Sequence, residues 1–239
     1  MANKPIPSIA SDFASVLSFL QGKGVVAKSP HATVVQTARR IHSSTYSLIL
    51  WRFRLKGLPP HGSVFVEEIA SDALQVLPQV LMGFGKPATL LTRGILENVL
   101  RHLYFLDHPI EFHRMNREAK WFMTIDALIE YGKAHPTFFE IGDQYSVFNN
   151  VSSLYSELSA GVHGRTVRDL EMKTALGRLT YDEATAVKLA NALVKTAEAT
   201  NFVLAMLHRA QMERFQSEDK KIILRSMPSL ARRIWREHE

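Results

Sequence analysis

Two segments of the chain carry polar side chains at spacings that could support chemistry. In TLLTRGILENVLRHLYFLDHP, the residues Arg93, Glu97 and Arg101 repeat every four positions, which places them on one face of a helix. In VSSLYSELSAGVHGR, small hydroxyl side chains recur at three- and four-residue spacing before His163. These hydroxyls belong to Ser152, Ser156 and Ser159. The two segments predict that His163 could face Arg93 across a groove between helices.

Each segment has a second interpretation. Arg93, Glu97 and Arg101 could form a solvated row of ion pairs, each worth only a few tenths of a kcal/mol. Alternatively, their helix lines a cleft and holds a guanidinium group beside a carboxylate, as phosphate binding or acid–base catalysis requires. Small serines at helical spacing are also typical of close helix packing, and a histidine near a helix end often serves as a cap. Burial of the side chains decides between these interpretations.

Several kinds of chemistry are excluded by composition and motif. The chain has no cysteine, which excludes disulfides, thiolate metal sites and cysteine nucleophiles. Gly83 to Lys86 lacks the spacing of a Walker loop, and no Glu-x-x-His, His-Glu-x-x-His or Gly-x-Ser-x-Gly pattern occurs. The polar residues from Asp107 to His113 are expected to form a solvated helix junction. We therefore expect neither a metal site nor a cofactor.

The positive charge is concentrated near the beginning of the chain. The net charge is +6, and no acidic residue occurs between Asp12 and Glu67. The basic residues of this stretch include four on one predicted helix, Arg39, Arg40, Arg52 and Arg54. Such a helix could contact the phosphates of a nucleic acid, although excess basic charge also simply keeps soluble proteins apart.

Apolar residues recur at helical spacing through most of the 239-residue chain, 46% of which is apolar. We predict an all-α, multi-helix bundle over residues 1–215, followed by a basic C-terminal helix in 216–239 that packs on the bundle or extends from it. No signal peptide or membrane span is expected, and a cytoplasmic location fits.

The predicted helices follow caps, prolines and glycines. They run from Ser11 to Gly22, from Ser29 to Gly57, over 63–82 with a kink near Pro78, over 87–107, over 117–131, and over 151–163. Residues 135–150 are predicted to be a loop. Thr180 and Glu183 form a capping box for a long helix that continues to about Phe215.

Two of these segments resemble a known family. RGILENVLRHLYFLDHP and, far downstream, LYSELSAGVHGR are similar to the prokaryotic HEPN-like helical proteins of defence and toxin systems. The resemblance implies a bundle of four or more helices that is frequently dimeric. It also implies that active members cut RNA with an Arg-x4-6-His motif, which Arg101 and His108 match, with the polar His102 directly after the arginine.

The resemblance implies a chemistry for these residues. A histidine would move the proton of the RNA 2′-hydroxyl, and an arginine would stabilise the charge that develops on the phosphorane. Arg101 and His108 would carry these roles, with His102 and His163 as substitutes. Arg93 and Glu97 complete the set of candidate catalytic residues.

Three hypotheses follow for the function. The first is a metal-independent endoribonuclease of a defence or toxin system, expected to be a homodimer and to act on RNA. The second is a non-enzymatic regulatory or adaptor subunit that binds a protein partner or a nucleic acid. The third is a small-molecule binder, which would require a buried Arg93 and His163 facing a closed apolar pocket.

Overall fold

The computed structural model describes residues 8–163 and 180–237, and all regular structure in these ranges is helical. The prediction of an all-α, multi-helix fold is confirmed. The helices are α1 (Ile9–Gly22), α2 (Ala32–Arg54), α3 (Pro60–Leu81), α4 (Gly85–Asp107), α5 (Pro109–Arg117), α6 (Ile125–Ala134), α7 (Pro136–Phe139), α8 (Val147–His163), α9 (Glu183–Leu207), α10 (Arg209–Met212), α11 (Ser217–Arg225) and α12 (Ser229–Glu237).

Helix α4 lies at the centre of the bundle and positions most of the candidate site. It packs against α3, α6, α8 and α9. Its apolar face is fully buried through Ile95, Leu96, Leu100 and Leu103. Burying each such side chain contributes about 1.5–3 kcal/mol, so this packing fixes the rotation of α4 and the direction of its polar face.

Several helix ends differ from the prediction because a neighbouring residue provides the cap. Ser8 rather than Ser11 caps α1, and its hydroxyl accepts a hydrogen bond from the amide of Ser11. His31 caps α2, one residue beyond the Ser29–Pro30 pair. Asp182 rather than Thr180 caps α9. In each case the side chain of the residue directly before the helix accepts a free amide hydrogen of the first turn.

The prediction of one helix over 117–131 is wrong. Helix α5 ends at Arg117 and α6 begins at Ile125. The hydroxyl of Thr124 accepts a hydrogen bond from the amide of Ala127, which starts the new helix. The predicted loop over 135–150 also contains the short helix α7 and the first turn of α8.

The C-terminal part of the chain packs on the bundle. The long helix α9 ends at Leu207 rather than near Phe215, and residues 217–237 form two short helices rather than one. Pro228, which has no amide hydrogen, lies between them. The side chains of Ile223, Ile234 and Trp235 are buried in the same core as the rest of the protein.

Hydrogen bonds also attach this segment to the bundle. The buried side chain of Asn201 accepts a hydrogen bond from the indole N–H of Trp51 at 2.7 Å. Its amide nitrogen donates to the hydroxyls of Ser47 at 2.8 Å and Ser226 at 2.7 Å. One side chain thereby connects α2, α9 and the turn after α11. None of the helices in the described ranges has the length and apolarity needed to cross a membrane.

Candidate functional site

The outward face of α4 carries a row of polar residues that we call the α4 polar strip. It consists of Arg93, Glu97, Asn98 and Arg101. The side chains of Arg93 and Glu97 are only 19% and 17% exposed. The Arg93 and Glu97 part of the strip is therefore largely covered, whereas the Arg101 side chain is 36% exposed. The interpretation as a fully solvated row of ion pairs does not describe this arrangement.

Glu97 is the centre of the strip. Its Oε1 accepts hydrogen bonds from Nε of Arg93 at 2.8 Å and from the hydroxyl of Tyr155 at 3.2 Å. Its Oε2 accepts one from Nη2 of Arg101 at 3.1 Å. Both arginines are held by the same carboxylate, which fixes two positive charges along one helix.

Arg93 also reaches across to α8. Its Nη1 lies 3.1 Å from Nε2 of His163, and its guanidinium group lies 4.9 Å from the centre of the Tyr155 ring. A guanidinium group can only donate hydrogen bonds, so Nε2 of His163 is the acceptor in this contact. The tautomer that allows this contact carries its hydrogen on Nδ1. The structure brings together Arg93 and His163 as their positions in the sequence had suggested.

Tyr155 is a member of the site that the sequence analysis did not select. Burial, with a smaller contribution from the Glu97 carboxylate, raises the pKa of the Tyr155 phenol. The phenol therefore stays protonated and donates to Glu97. The spacing offered a signal, since Tyr155 lies eight residues before His163 and thus on the same side of α8.

Asp72 on α3 is a second residue that was missed. Its Oδ2 lies 3.5 Å from Nδ2 of Asn98. A Cβ atom at Gly94 would lie 2.5 Å from the same oxygen, so a larger residue there would displace the Asp72 carboxyl group. Burial, followed by the Glu68 carboxylate, raises the pKa of Asp72 to about 6. Asp72 is thus a buried carboxyl group in contact with the α4 polar strip.

The Arg101 and His108 pair is not brought together by any contact in the described residues. Arg101 donates to Glu97 and to Oδ1 of Asn98. His108 donates from Nδ1 to the Tyr104 carbonyl oxygen at 2.8 Å, and its ring stacks on the Tyr104 ring at 4.1 Å. The histidine is thus held against the end of its own helix.

His102 lies in the core. It is fully buried, and Nδ1 donates to the Gly62 carbonyl oxygen at 2.9 Å. Its Nε2 lies 2.7 Å from Nε2 of His208. Burial lowers the pKa of His102 to about 4. Burial and then His102 lower the pKa of His208 to about 3. Both rings are neutral near pH 7, and neither is accessible to a substrate.

The four arginines of α2 have different environments. Arg39 and Arg52 are exposed, and Arg39 lies over the Phe13 ring at 5.2 Å. Arg40 donates to Oδ1 of Asn191 at 2.8 Å. Arg54 donates from Nε to the buried carboxylate of Asp219 at 2.6 Å. Arg54 therefore holds α11 on α2, which leaves Arg39 and Arg52 as the arginines most open to a ligand.

The described ranges contain no group of three His, Asp or Glu side chains arranged to hold a metal ion. At the junction after α4, Asp107 instead accepts a hydrogen bond from the Tyr131 hydroxyl and lies 3.2 Å from Nε2 of His135.

In comparisons with known proteins, no family model, curated protein or solved structure matches this chain.

Proposed function

We propose that this chain is an HEPN-like, RNA-directed effector that cleaves RNA without a metal ion, with Arg93 and His163 as the reacting pair. The observation that carries the proposal is the 3.1 Å contact between Nη1 of Arg93 and Nε2 of His163. It places a permanent positive charge and an unprotonated imidazole nitrogen at one point. Metal-free cleavage of RNA needs both of these groups.

The proposed reaction follows from this geometry. A 2′-hydroxyl that replaces Arg93 at Nε2 transfers its proton to His163. The 2′ oxygen then forms a bond to phosphorus, and the bond from phosphorus to the 5′ oxygen breaks. The leaving 5′ oxygen takes a proton from water, and the resulting hydroxide removes the proton from His163, which restores the neutral imidazole. The products are a 2′,3′-cyclic phosphate and a 5′-hydroxyl end.

The rest of the strip supports the same chemistry. Arg93 and Arg101 face the site as fixed donors, because Glu97 holds both of them. Fixed donors need no reorganisation when negative charge develops on the phosphorane. The hydroxyl of Tyr155 donates to the same carboxylate oxygen of Glu97 as Arg93 does, which further fixes its position.

The openness of the site favours a polymer over a small molecule. His163 is exposed. A small-molecule site would enclose most of its ligand in a closed pocket, which an exposed histidine at the end of α8 does not provide. A single phosphodiester group in a long chain can approach such an edge from outside.

The test is cleavage of a mixed RNA pool by the purified protein in EDTA, with product ends analysed for cyclic phosphate. Arg93→Ala and His163→Ala should each reduce the rate by at least about 100-fold. Arg114→Ala and His113→Ala are matched controls, since Arg114 forms an ion pair of the same spacing and both residues are exposed. The controls should cleave at the wild-type rate.

The same assay separates the two candidate pairs. His108→Ala should retain activity, because His108 is stacked on Tyr104 and makes no contact with the α4 polar strip. Activity lost in His108→Ala but kept in His163→Ala would support the Arg101 and His108 pair instead. Intact RNA with folded wild-type protein and an added activating partner would count against the nuclease proposal.

A specific observation favours the adaptor as a second candidate. Three large apolar side chains between α5 and α7 are highly exposed: Ile110 at 78%, Phe122 at 74% and Phe139 at 72%. Exposed apolar side chains that form one contiguous patch mediate contacts between proteins, including contacts between two copies of one chain. Sedimentation of the wild type and of a variant with serine at all three positions would show whether they mediate self-association.

A further inference from the structure

A cavity of about 370 Å³ lies where the end of α2 meets the segment after α10. We call it the basic aromatic groove. Its lining includes Phe53, Arg54, Lys56, Gln211, Arg214 and Phe215. No acidic side chain of the described residues lines it, and its members combine positive charge, amide groups and two aromatic rings.

Two positive charges of the groove are available to a ligand. Lys56 and Arg214 are exposed, and within residues 8–163 and 180–237 neither forms an ion pair. The nearest carboxylates along the chain are already engaged. Asp219 accepts from Arg54, Glu213 lies 3.7 Å from Arg209, and Glu218 lies 2.7 Å from Lys221. The groove therefore carries net positive charge that the protein itself does not neutralise.

The two aromatic rings of the groove differ in their exposure and packing. Phe53 is 46% exposed, and the guanidinium group of Arg52 lies 6.0 Å from its ring centre. Phe215 is held edge-on against Trp51 at 5.5 Å. Covering an exposed aromatic ring with a flat apolar group removes apolar surface from water, which is favourable in free energy.

We propose that the basic aromatic groove binds single-stranded RNA, with a base stacked on Phe53 and backbone phosphates contacted by Lys56 and Arg214. Proteins that bind single strands combine a positively charged groove with aromatic side chains on which bases stack. A duplex would not satisfy both features, because its bases are already stacked on one another. The proposal rests on the proposed RNA-directed function for the choice of RNA as the ligand.

Arg54, which the sequence analysis predicted to contact phosphate, has a structural role in this proposal. Arg54 forms a wall of the groove, since its guanidinium group is hydrogen-bonded to Asp219 and, at 3.2 Å, to Oε1 of Gln216. These bonds hold α11 beside α2 and keep the groove open. Exposed Arg52, next to the Phe53 ring, is the member of the α2 set that can reach the bound strand.

The test is binding of a short, fluorescein-labelled oligouridine in EDTA, measured by fluorescence anisotropy. The protein carries His163→Ala in every case, so that cleavage cannot alter the signal. Phe53→Ala should weaken binding by about tenfold, which is typical for the loss of one stacked base. Lys56→Ala with Arg214→Ala should lower the slope of log K against log salt by about 1.4, or 0.7 for each lost phosphate contact.

Matched controls are taken from the region where α1 ends and α2 begins, which is at the other end of α2 from the groove. Phe19 is exposed beside Lys23 in the same way as Phe53 beside Arg52, and Lys28 is exposed. Phe19→Ala and Lys28→Ala should bind like the parent protein. Folding of every variant is checked by circular dichroism, and Phe53→Leu serves as a second variant that keeps apolar bulk but removes the aromatic ring.

The outcomes separate the groove from the proposed nuclease. Weakened binding in the groove variants supports the groove even if the wild type never cleaves RNA. Binding equal to the parent in all groove variants would overturn the groove and leave the cleavage test unaffected. Equal competition by polyglutamate would also overturn it, because the groove would then recognise charge alone, as in an acidic peptide.

Discussion

The buried pair His102 and His208 predicts that the protein loses stability in mild acid. Their Nε2 atoms lie 2.7 Å apart, so one nitrogen must donate and the other must accept. Nδ1 of His102 donates to Gly62, which leaves its Nε2 as the acceptor, and Nε2 of His208 therefore carries the hydrogen. This arrangement of hydrogens requires His102 to be neutral, and burial together with His102 lowers the pKa of His208 so that it is neutral as well.

The magnitude follows from the pKa values. Burial lowers the pKa of His102 to about 4 and, with His102, that of His208 to about 3, from an ordinary value of 6.5. Between pH 6.5 and pH 4 the unfolded chain therefore binds more protons than the folded chain, and stability falls as the pH falls. At 1.36 kcal/mol per pKa unit, His102 alone accounts for roughly 3 kcal/mol, and the pair for up to about twice that.

The assay is urea unfolding across this pH range for the wild type and for the variant with His102→Gln and His208→Gln. The variant should be less stable near neutral pH but should lose less stability in acid. His208→Gln alone provides a milder version, and His113→Gln is the control at an exposed histidine. A free energy of unfolding that falls equally in wild type and double variant would refute the assignment of two neutral, buried rings.

Two further predictions concern buried polar side chains. Asp72 has a pKa raised to about 6, so its ionised form destabilises the fold above that pH. Asp72→Asn should add about 1–2 kcal/mol near pH 8, because water still reaches part of the carboxylate, and the gain should vanish near pH 4. Asn201→Leu should cost roughly 3–5 kcal/mol, since it leaves Trp51, Ser47 and Ser226 without their buried partner. Thermal unfolding at several pH values measures both, and a neutral Asn201→Leu would contradict the network.

The sequence predicted those features that depend on local periodicity. Helix α4 was placed within two residues of its start, because its buried face repeats at three and four residues. The same spacing put Arg93 and His163 on faces that could meet. It could not locate the break at residues 118–124, where only the cap at Thr124 distinguishes two short helices from one.

The sequence could not predict contacts between residues that are distant along the chain. Arg54 and Asp219 are 165 residues apart, and His102 and His208 are 106 apart. Whether a basic side chain is free for a ligand depends on such a partner, which is known only once the helices are packed. Asp72 left a local signal, since it interrupts the apolar face formed by Ile69, Ala73 and Val76. A lone carboxyl group on that face indicated a buried polar contact.

The two candidate arginine and histidine pairs differ in which helices position them, and sequence spacing does not reveal this difference. Arg101 lies in α4 and His108 is the residue directly after that helix, where the hydrogen-bonding capacity of His108 is partly used by the Tyr104 carbonyl. Arg93 and His163 come from two helices, so their distance is set by the packing of α4 on α8. The packing is close here, since a Cβ atom at Gly161 would lie 3.7 Å from the Thr89 side chain. A reacting pair held in this way can be separated by a substrate without breaking either helix, which favours Arg93 and His163.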